Sequence, residues 1–88
     1  MGYSVYLIGS KKKSKIKTYV GYTNNLKKRI LKHNYGKGAK STRGRIWKVF
    51  YTKKYTSKSA AMSAEYILKK DKKKRRLIKI KYLSTNQL

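Results

Sequence analysis

Hydrophobic and polar positions along this chain switch between a strand-like and a helix-like period. Tyr3 to Ile8 is dense in β-branched and aromatic residues, Gly9 to Ser14 is a polar, lysine-rich turn, and Ile16 to Tyr22 is again β-type. The two runs predict an antiparallel hairpin. A turn with a capping residue at Thr23 to Asn25 then opens a helix over Asn25 to Asn34, where Leu26, Ile30 and Leu31 recur at helical spacing and Gly36 and Gly38 mark the end. Ile46 to Tyr55 reads as a third strand with Trp47 and Phe50 as anchors, although Trp47 could instead stack on a base. Ser57 or Ser59 caps a helix over Ala60 to Lys69, with a stripe of Ala61, Met62, Ile67 and Leu68 expected to pack inward. The cationic run Lys72 to Lys81, interspersed with Leu77, Ile78 and Ile80, predicts a further helix, and Ser84 to Leu88 a frayed end. The predicted order is β-β-α-β-α-α.

At 88 residues the chain has room for one domain with a single small core, burying ~60% of its unfolded surface. The absence of Cys excludes disulfides, thiolate zinc sites and thiol catalysis, and fits a reducing cytoplasm. The apolar run before Ser10 has its charges after it, the reverse of a secretory signal, so an intracellular protein is expected.

Charge changes the picture most: Lys plus Arg number 26 against two acids, for a net charge of +24. Solubility is reached at a net charge of only ~2–8 for a small domain, so this excess points to a polyanionic partner, by default a nucleic acid. Binding to a membrane surface would need a large apolar face that the pattern does not contain. Gly36 to Gly44 forms a basic loop whose amides, hydroxyls and cations suit phosphate, which marks Lys40, Thr42, Arg43 and the adjacent Arg45 as nucleic-acid-binding candidates.

Four residue types could carry chemistry. Arg29 and His33 lie one helical turn apart on one face, after a strand that ends in Tyr19-Val20-Gly21. Lysine is this chain's habitual cation, so an arginine on that helix suggests a planar, bidentate phosphate ligand. A lone histidine is structural as readily as catalytic. Glu65, one of only two acids, falls on or beside the packing stripe of its helix and is either an ion-pair partner of a lysine or a metal ligand. Asp71, in a lysine run, reads as a surface-paired acid.

Val5-Tyr6-Leu7 on the first strand, Tyr19-Val20-Gly21 on the second, Arg29 and His33-Asn34 on the helix, and Glu65 on a later helix together resemble the GIY-YIG nuclease family over roughly Tyr3 to Lys70. Gly38-Ala39, Thr42 and Trp47 look most like its small stand-alone bacterial members and the catalytic domain of the branched-DNA nuclease subunit. The resemblance implies an α+β fold, a small, mainly antiparallel three-stranded sheet flanked by helices, as a single domain over residues 1–83. It also implies a metal-dependent endonuclease acting on duplex or branched DNA, in repair or recombination. Tyr6 and Tyr19 would be the paired active-site tyrosines, with Arg29 steadying the phosphate, His33 assisting, and Glu65 holding one Mg²⁺ or Mn²⁺. A strongly positive field and a nearby metal would both favour the phenolate, so either tyrosine is expected to be able to act as the base. The chain departs from the family pattern at Val5, where the motif has Gly, and at Tyr22, where excision-repair members carry Lys. A non-catalytic basic nucleic-acid-binding module on the same fold is the alternative.

Overall fold

The computed structural model describes residues 2–86. Strand β1 (Tyr3–Lys12) is followed by β2 (Lys15–Thr23), helix α1 (Leu26–Asn34), a single 3₁₀ turn at Lys40–Thr42, strand β3 (Lys48–Tyr55), and helices α2 (Lys58–Lys70) and α3 (Lys72–Thr85). The fold is α+β in the predicted order, with one antiparallel three-stranded sheet ordered β2-β1-β3. Among the described residues no helix is long and apolar enough to cross a membrane.

The central position of β1 explains why its apolar run is continuous and not alternating, since both faces are buried. Val5 and Leu7 point to one side, where they meet Val20, Ala61 and Leu68 beneath α2 and α3. Tyr6 and Ile8 point to the other, against Trp47, with Leu26 and Ile30 of α1 packed alongside. The domain therefore has two thin cores, one on each face of the sheet, instead of the single core expected. The polar turn is tighter than predicted: the ladder runs on to Lys12 opposite Lys15, leaving a two-residue turn in which Lys13 adopts a positive φ of 58°. Those outer lysines continue the backbone hydrogen bonding without entering either core.

Strand β3 begins at Lys48, not Ile46, because Trp47 is drawn into the core while Ile46 stays exposed. Its register slips between Leu7 and Ile8, which makes Phe50 the extra residue of a bulge. The Phe50 ring lies over Gly9 and stacks on Tyr82 with centroids 4.1 Å apart, fastening α3 to the sheet.

Ser57 caps α2, its hydroxyl accepting from the Ala60 amide at 3.1 Å. The packing face of this helix differs from the expected stripe: Ala61 and Leu68 are buried, but Met62 is 47% and Ile67 65% exposed. Small Ala61 and Ala64 let α2 approach the sheet closely, and that contact sets the helix rotation in place of the bulkier apolar residues. Asp71 is no surface ion-pair partner either: its carboxylate accepts from the Lys74 amide at 3.0 Å and caps α3. Helix α3 runs through Ser84 and Thr85, beyond the expected frayed boundary; Gln87 and Leu88, from the same expected tail, lie outside the described residues.

Candidate active site

The site begins with the pairing of Tyr6 and Gly21 across β1 and β2. A Cβ at position 21 would overlap the Tyr6 phenol, so only glycine lets the ring lie across β2. The Tyr6 hydroxyl then reaches α1, 2.8 Å from Nε2 of His33. Arg29 Nε donates to the same oxygen at a longer 3.4 Å.

His33 is fully buried and held at both ring nitrogens. Its Nδ1 lies 2.9 Å from the Thr42 hydroxyl, which donates to the Ala39 carbonyl at 2.7 Å. Because Thr42 spends its only proton on that carbonyl, its oxygen accepts from Nδ1–H, leaving the Nε2 lone pair to accept from Tyr6. The hydrogen bonds thus run in one direction: Tyr6 to His33 to Thr42 to Ala39. Gly38 makes room for this arrangement, since a Cβ there would overlap Nδ1 of His33.

A latch behind the histidine fixes Thr42. The Trp47 indole donates to the Thr42 carbonyl at 2.8 Å, and the Trp47 amide donates to Asn34 Oδ1 at 2.6 Å. Trp47 is therefore a buried anchor and takes no part in base stacking.

Burial dominates the titration of both central groups. It raises the Tyr6 pKa above its usual value of 10.0 despite the opposing hydrogen bond and charge of Arg29, so the protein's own positive charge does not make the phenolate the resting form. Burial, followed by the Arg29 charge, lowers His33 below 6.5 and keeps the imidazole neutral. The Tyr6 hydrogen bond in turn raises the Arg29 pKa, reinforcing a cation that is permanent in any case.

These groups border an open cleft of about 390 Å³ lined by Tyr6, Tyr19, Arg29 and Glu65 among others. Tyr19 is half-buried, its ring 6.5 Å from that of Tyr6 and 5.2 Å from that of His33. Glu65 comes from α2 on the opposite side and pairs with Lys69 at 3.6 Å. Its side chain is only 18% exposed, against 51% for Lys69. Lys58, two turns before Glu65, lines the same cleft and was missed in the sequence. The seven-residue spacing from Glu65, which puts both on one helix face, was the available signal.

Of the loop candidates, Lys40 and Arg43 are exposed and face solvent, whereas Thr42 and Arg45 are corrected by the structure. Thr42 is fully buried with its hydroxyl committed to Ala39 and His33. Arg45 turns inward, donating to the Ser10 carbonyl at 3.1 Å with its guanidinium 6.0 Å from the centre of the Trp47 ring. Both serve the scaffold behind the site.

Among the described residues no three His, Cys, Asp or Glu side chains converge as a metal cage. Glu65 alone fits a hard divalent ion, because Mg²⁺ commonly takes one or two carboxylates and fills its shell with water and phosphate oxygens. One carboxylate, one arginine, two tyrosines and a buried neutral imidazole at a cationic cleft form a set suited to phosphodiester chemistry.

Comparison with known proteins finds relatives of this chain. The UPF0213 protein SpyM50708 of Streptococcus pyogenes serotype M5 is 50% identical over 70 residues, covering 78% of this chain and 74% of the relative. Its counterpart in serotype M1 has the same identity and coverage. The solution NMR structure of the UPF0213 protein BH0048 from Bacillus halodurans is 40% identical, covering 92% of this chain and 86% of that one, with a TM-score of 0.49. The GIY-YIG catalytic domain matches residues 2–79, nearly the whole chain, and the protein belongs to the GIY-YIG family.

Proposed function

We propose that this protein is a divalent-metal-dependent DNA endonuclease that hydrolyses phosphodiester bonds in the cleft between α1 and α2. The observation that carries this reading is the one-way hydrogen-bond chain from Tyr6 through His33 to Thr42, with Arg29 on the same phenol oxygen and Glu65 across the cleft. A cysteine-free chain with a charge of +24 suits DNA in the cytoplasm, and we assign duplex or branched DNA, met in repair or recombination, as the substrate.

In this mechanism Tyr6 relays a proton while it remains a phenol at rest. Tyr6 is as fully buried as His33 and meets the cleft only at its lining. In the proposed step a water admitted there with the substrate gives a proton to Oη as the phenol's own proton passes to Nε2 of His33, the resulting hydroxide attacks phosphorus, and the bond from phosphorus to the 3′ oxygen breaks. His33, sealed from solvent, receives protons only through Tyr6, and Thr42 holds the imidazolium by Nδ1–H. Arg29 uses Nε on Tyr6, which leaves its Nη hydrogens for the charge that grows on the phosphate oxygens. A divalent ion held by Glu65 would supply charge stabilisation at the departing 3′ oxygen. Tyr19 forms the wall beside the phenol and orders the attacking water.

The test is incubation with duplex, nicked, branched and single-stranded DNA, with Mg²⁺, with Mn²⁺ and with chelator, beside Glu65→Gln. Cleavage by the wild type that needs the ion, and binding without cleavage by Glu65→Gln, is the expected result. Cleavage by Glu65→Gln at the wild-type rate would reduce Glu65 to the ion-pair partner of Lys69.

A further inference from the structure

A second groove leaves the cleft on the far side of Arg29. Its volume is about 260 Å³, and it is lined by Thr23, Asn24, Asn25, Lys28, Arg29 and Lys32. Thr23, Asn24 and Arg29 border both spaces, whereas Glu65 and Lys58 border only the first and Lys28 and Lys32 only the second. The cleft and the groove therefore adjoin, with Arg29 the cation common to both.

The groove is uncompensated. Lys28 and Lys32 lie one turn apart on the same helix face, Arg29 stands beside them, and neither α1 nor the groove lining contains an acid. Lys69, at the corresponding i,i+4 spacing on α2, has Glu65 as its partner. The groove floor is the Thr23–Asn25 turn, fixed by the Asn25 amide donating to the Thr23 hydroxyl at 3.1 Å and by Asn25 Oδ1 accepting from the Lys28 amide at 3.1 Å. A preformed, cationic, carboxylate-free groove adjoining the reaction cleft matches a continuing polyanionic backbone.

We infer that the Lys28–Lys32 groove is a binding subsite for the phosphates that follow the scissile one on the same DNA strand. Four residues of helix advance ~6 Å, close to two axial steps of ~3.4 Å along a duplex strand, so the two lysines can each reach a separate phosphate of the same strand. The strand polarity rests on the proposed nuclease reading: with Glu65 on the side of the departing 3′ oxygen, the strand beyond Arg29 is the one bearing the 5′-phosphate product. Lys28 and Lys32 hold that product strand in line while the bond breaks.

The first measurement is binding without cleavage. Affinity for a duplex probe is measured in chelator between 50 and 200 mM salt, for the wild type, Lys28→Gln/Lys32→Gln, and a control, Lys72→Gln/Lys73→Gln, on α3 across the sheet. Losing two phosphate contacts at a slope of ~0.9 each makes the groove variant's affinity fall ~10-fold less over that range than the wild type's, while the control stays close to wild type. Equal slopes for the groove and control variants overturn the subsite whether or not the protein cuts DNA. A groove-specific loss of slope in a protein that cuts no DNA upholds the subsite and removes the nuclease reading.

Neutral methylphosphonate linkages beside a mapped cleavage site test the polarity. Placed on the 3′ side they should weaken the wild type and leave the groove variant unmoved. The same pattern from the 5′ side reverses the assignment.

Discussion

Replacing Thr42 with valine keeps the side chain's shape, removes one buried hydroxyl, and tests whether that hydroxyl sets the chemistry of the only histidine in the chain. The Ala39 carbonyl and the Nδ1–H of His33 both lose their partner. At ~1–3 kcal/mol for each stranded buried group, the loss comes to about 3 kcal/mol if the imidazole keeps its proton on Nδ1. For a domain of this size that lowers Tm by ~10–25 °C. The imidazole can escape part of this cost by moving its proton to Nε2, but then Nε2 donates to Tyr6 and no longer accepts from it. In either case proton transfer suffers, and loss of general-base assistance commonly costs ~10²–10⁴ in rate. Thr42→Ser keeps the oxygen and loses one methyl, at about 1 kcal/mol, and should retain the tautomer and most of the rate. The assay combines thermal melts, single-turnover cleavage below the lowest Tm, and ring-nitrogen NMR, which is unambiguous with a single histidine. Wild-type ring shifts and a wild-type rate in Thr42→Val would refute the assigned direction of the chain.

Gly21→Ala, which drives a methyl group into the Tyr6 phenol, should abolish cleavage while costing only the ~1–3 kcal/mol typical of overpacking; melting and single-turnover cleavage separate the two effects. Arg29→Lys keeps the charge but loses the fork, so the chemical step should slow by ~10²–10³ with DNA binding nearly intact; an equal rate in the exposed control Arg76→Lys would remove Arg29 from the site. The depressed His33 pKa contributes stability that is present above 6.5 and lost as pH falls through the folded value, whereas the raised Tyr6 pKa contributes stability present below 10.0 and lost at more alkaline pH. Melts across pH should therefore decline on both sides of that window, the acid limb of kcat should lie below pH 6.5, and an acid limb at or above 6.5 would contradict the buried neutral imidazole.

Element order was legible in the sequence because each element carries its own period and cap. What was lost was the information that packing alone supplies. The stripe through Met62 and Ile67 satisfies helical spacing, yet Ala61 and Ala64 decide how α2 turns, because small residues permit the closer approach. Thr42 looked like a phosphate ligand since a Ser-Thr-Arg loop is composed like one; its burial depends on Trp47 and Asn34, which meet it only in the fold. The field of +24, one of the two causes expected to favour a Tyr6 phenolate beside a metal, comes from exposed, solvated lysines while the phenol sits under the sheet, so against that field local desolvation prevails. Arg29, His33 and Tyr6 are brought together across 23 and 27 residues of sequence by two hydrogen bonds. Helical spacing had already put Arg29 and His33 on one face; that Tyr6 joins them was available only through the family resemblance.

The structure divides its polar chemistry by depth, and that division bears on how Glu65 can hold an ion. Behind Tyr6 the protons of the His33 chain each have an assigned acceptor and the groups are buried. In front, the cations lining the cleft and groove have no acid to neutralise them but Glu65, whose 3.6 Å pair with a half-exposed Lys69 is of the kind worth only ~0–1 kcal/mol. A lone carboxylate in a positive field is a poor trap for a divalent cation, which feels the same repulsion as the lysines beside it. A DNA phosphate entering the cleft reverses that sign and brings oxygen ligands of its own, so ion and phosphate should each raise the other's affinity by the same factor. In this proposed reading Glu65 is matched to an ion that enters with the substrate, and the uncompensated charge in front of the relay keeps the site weak for metal until a phosphate is there to be cut.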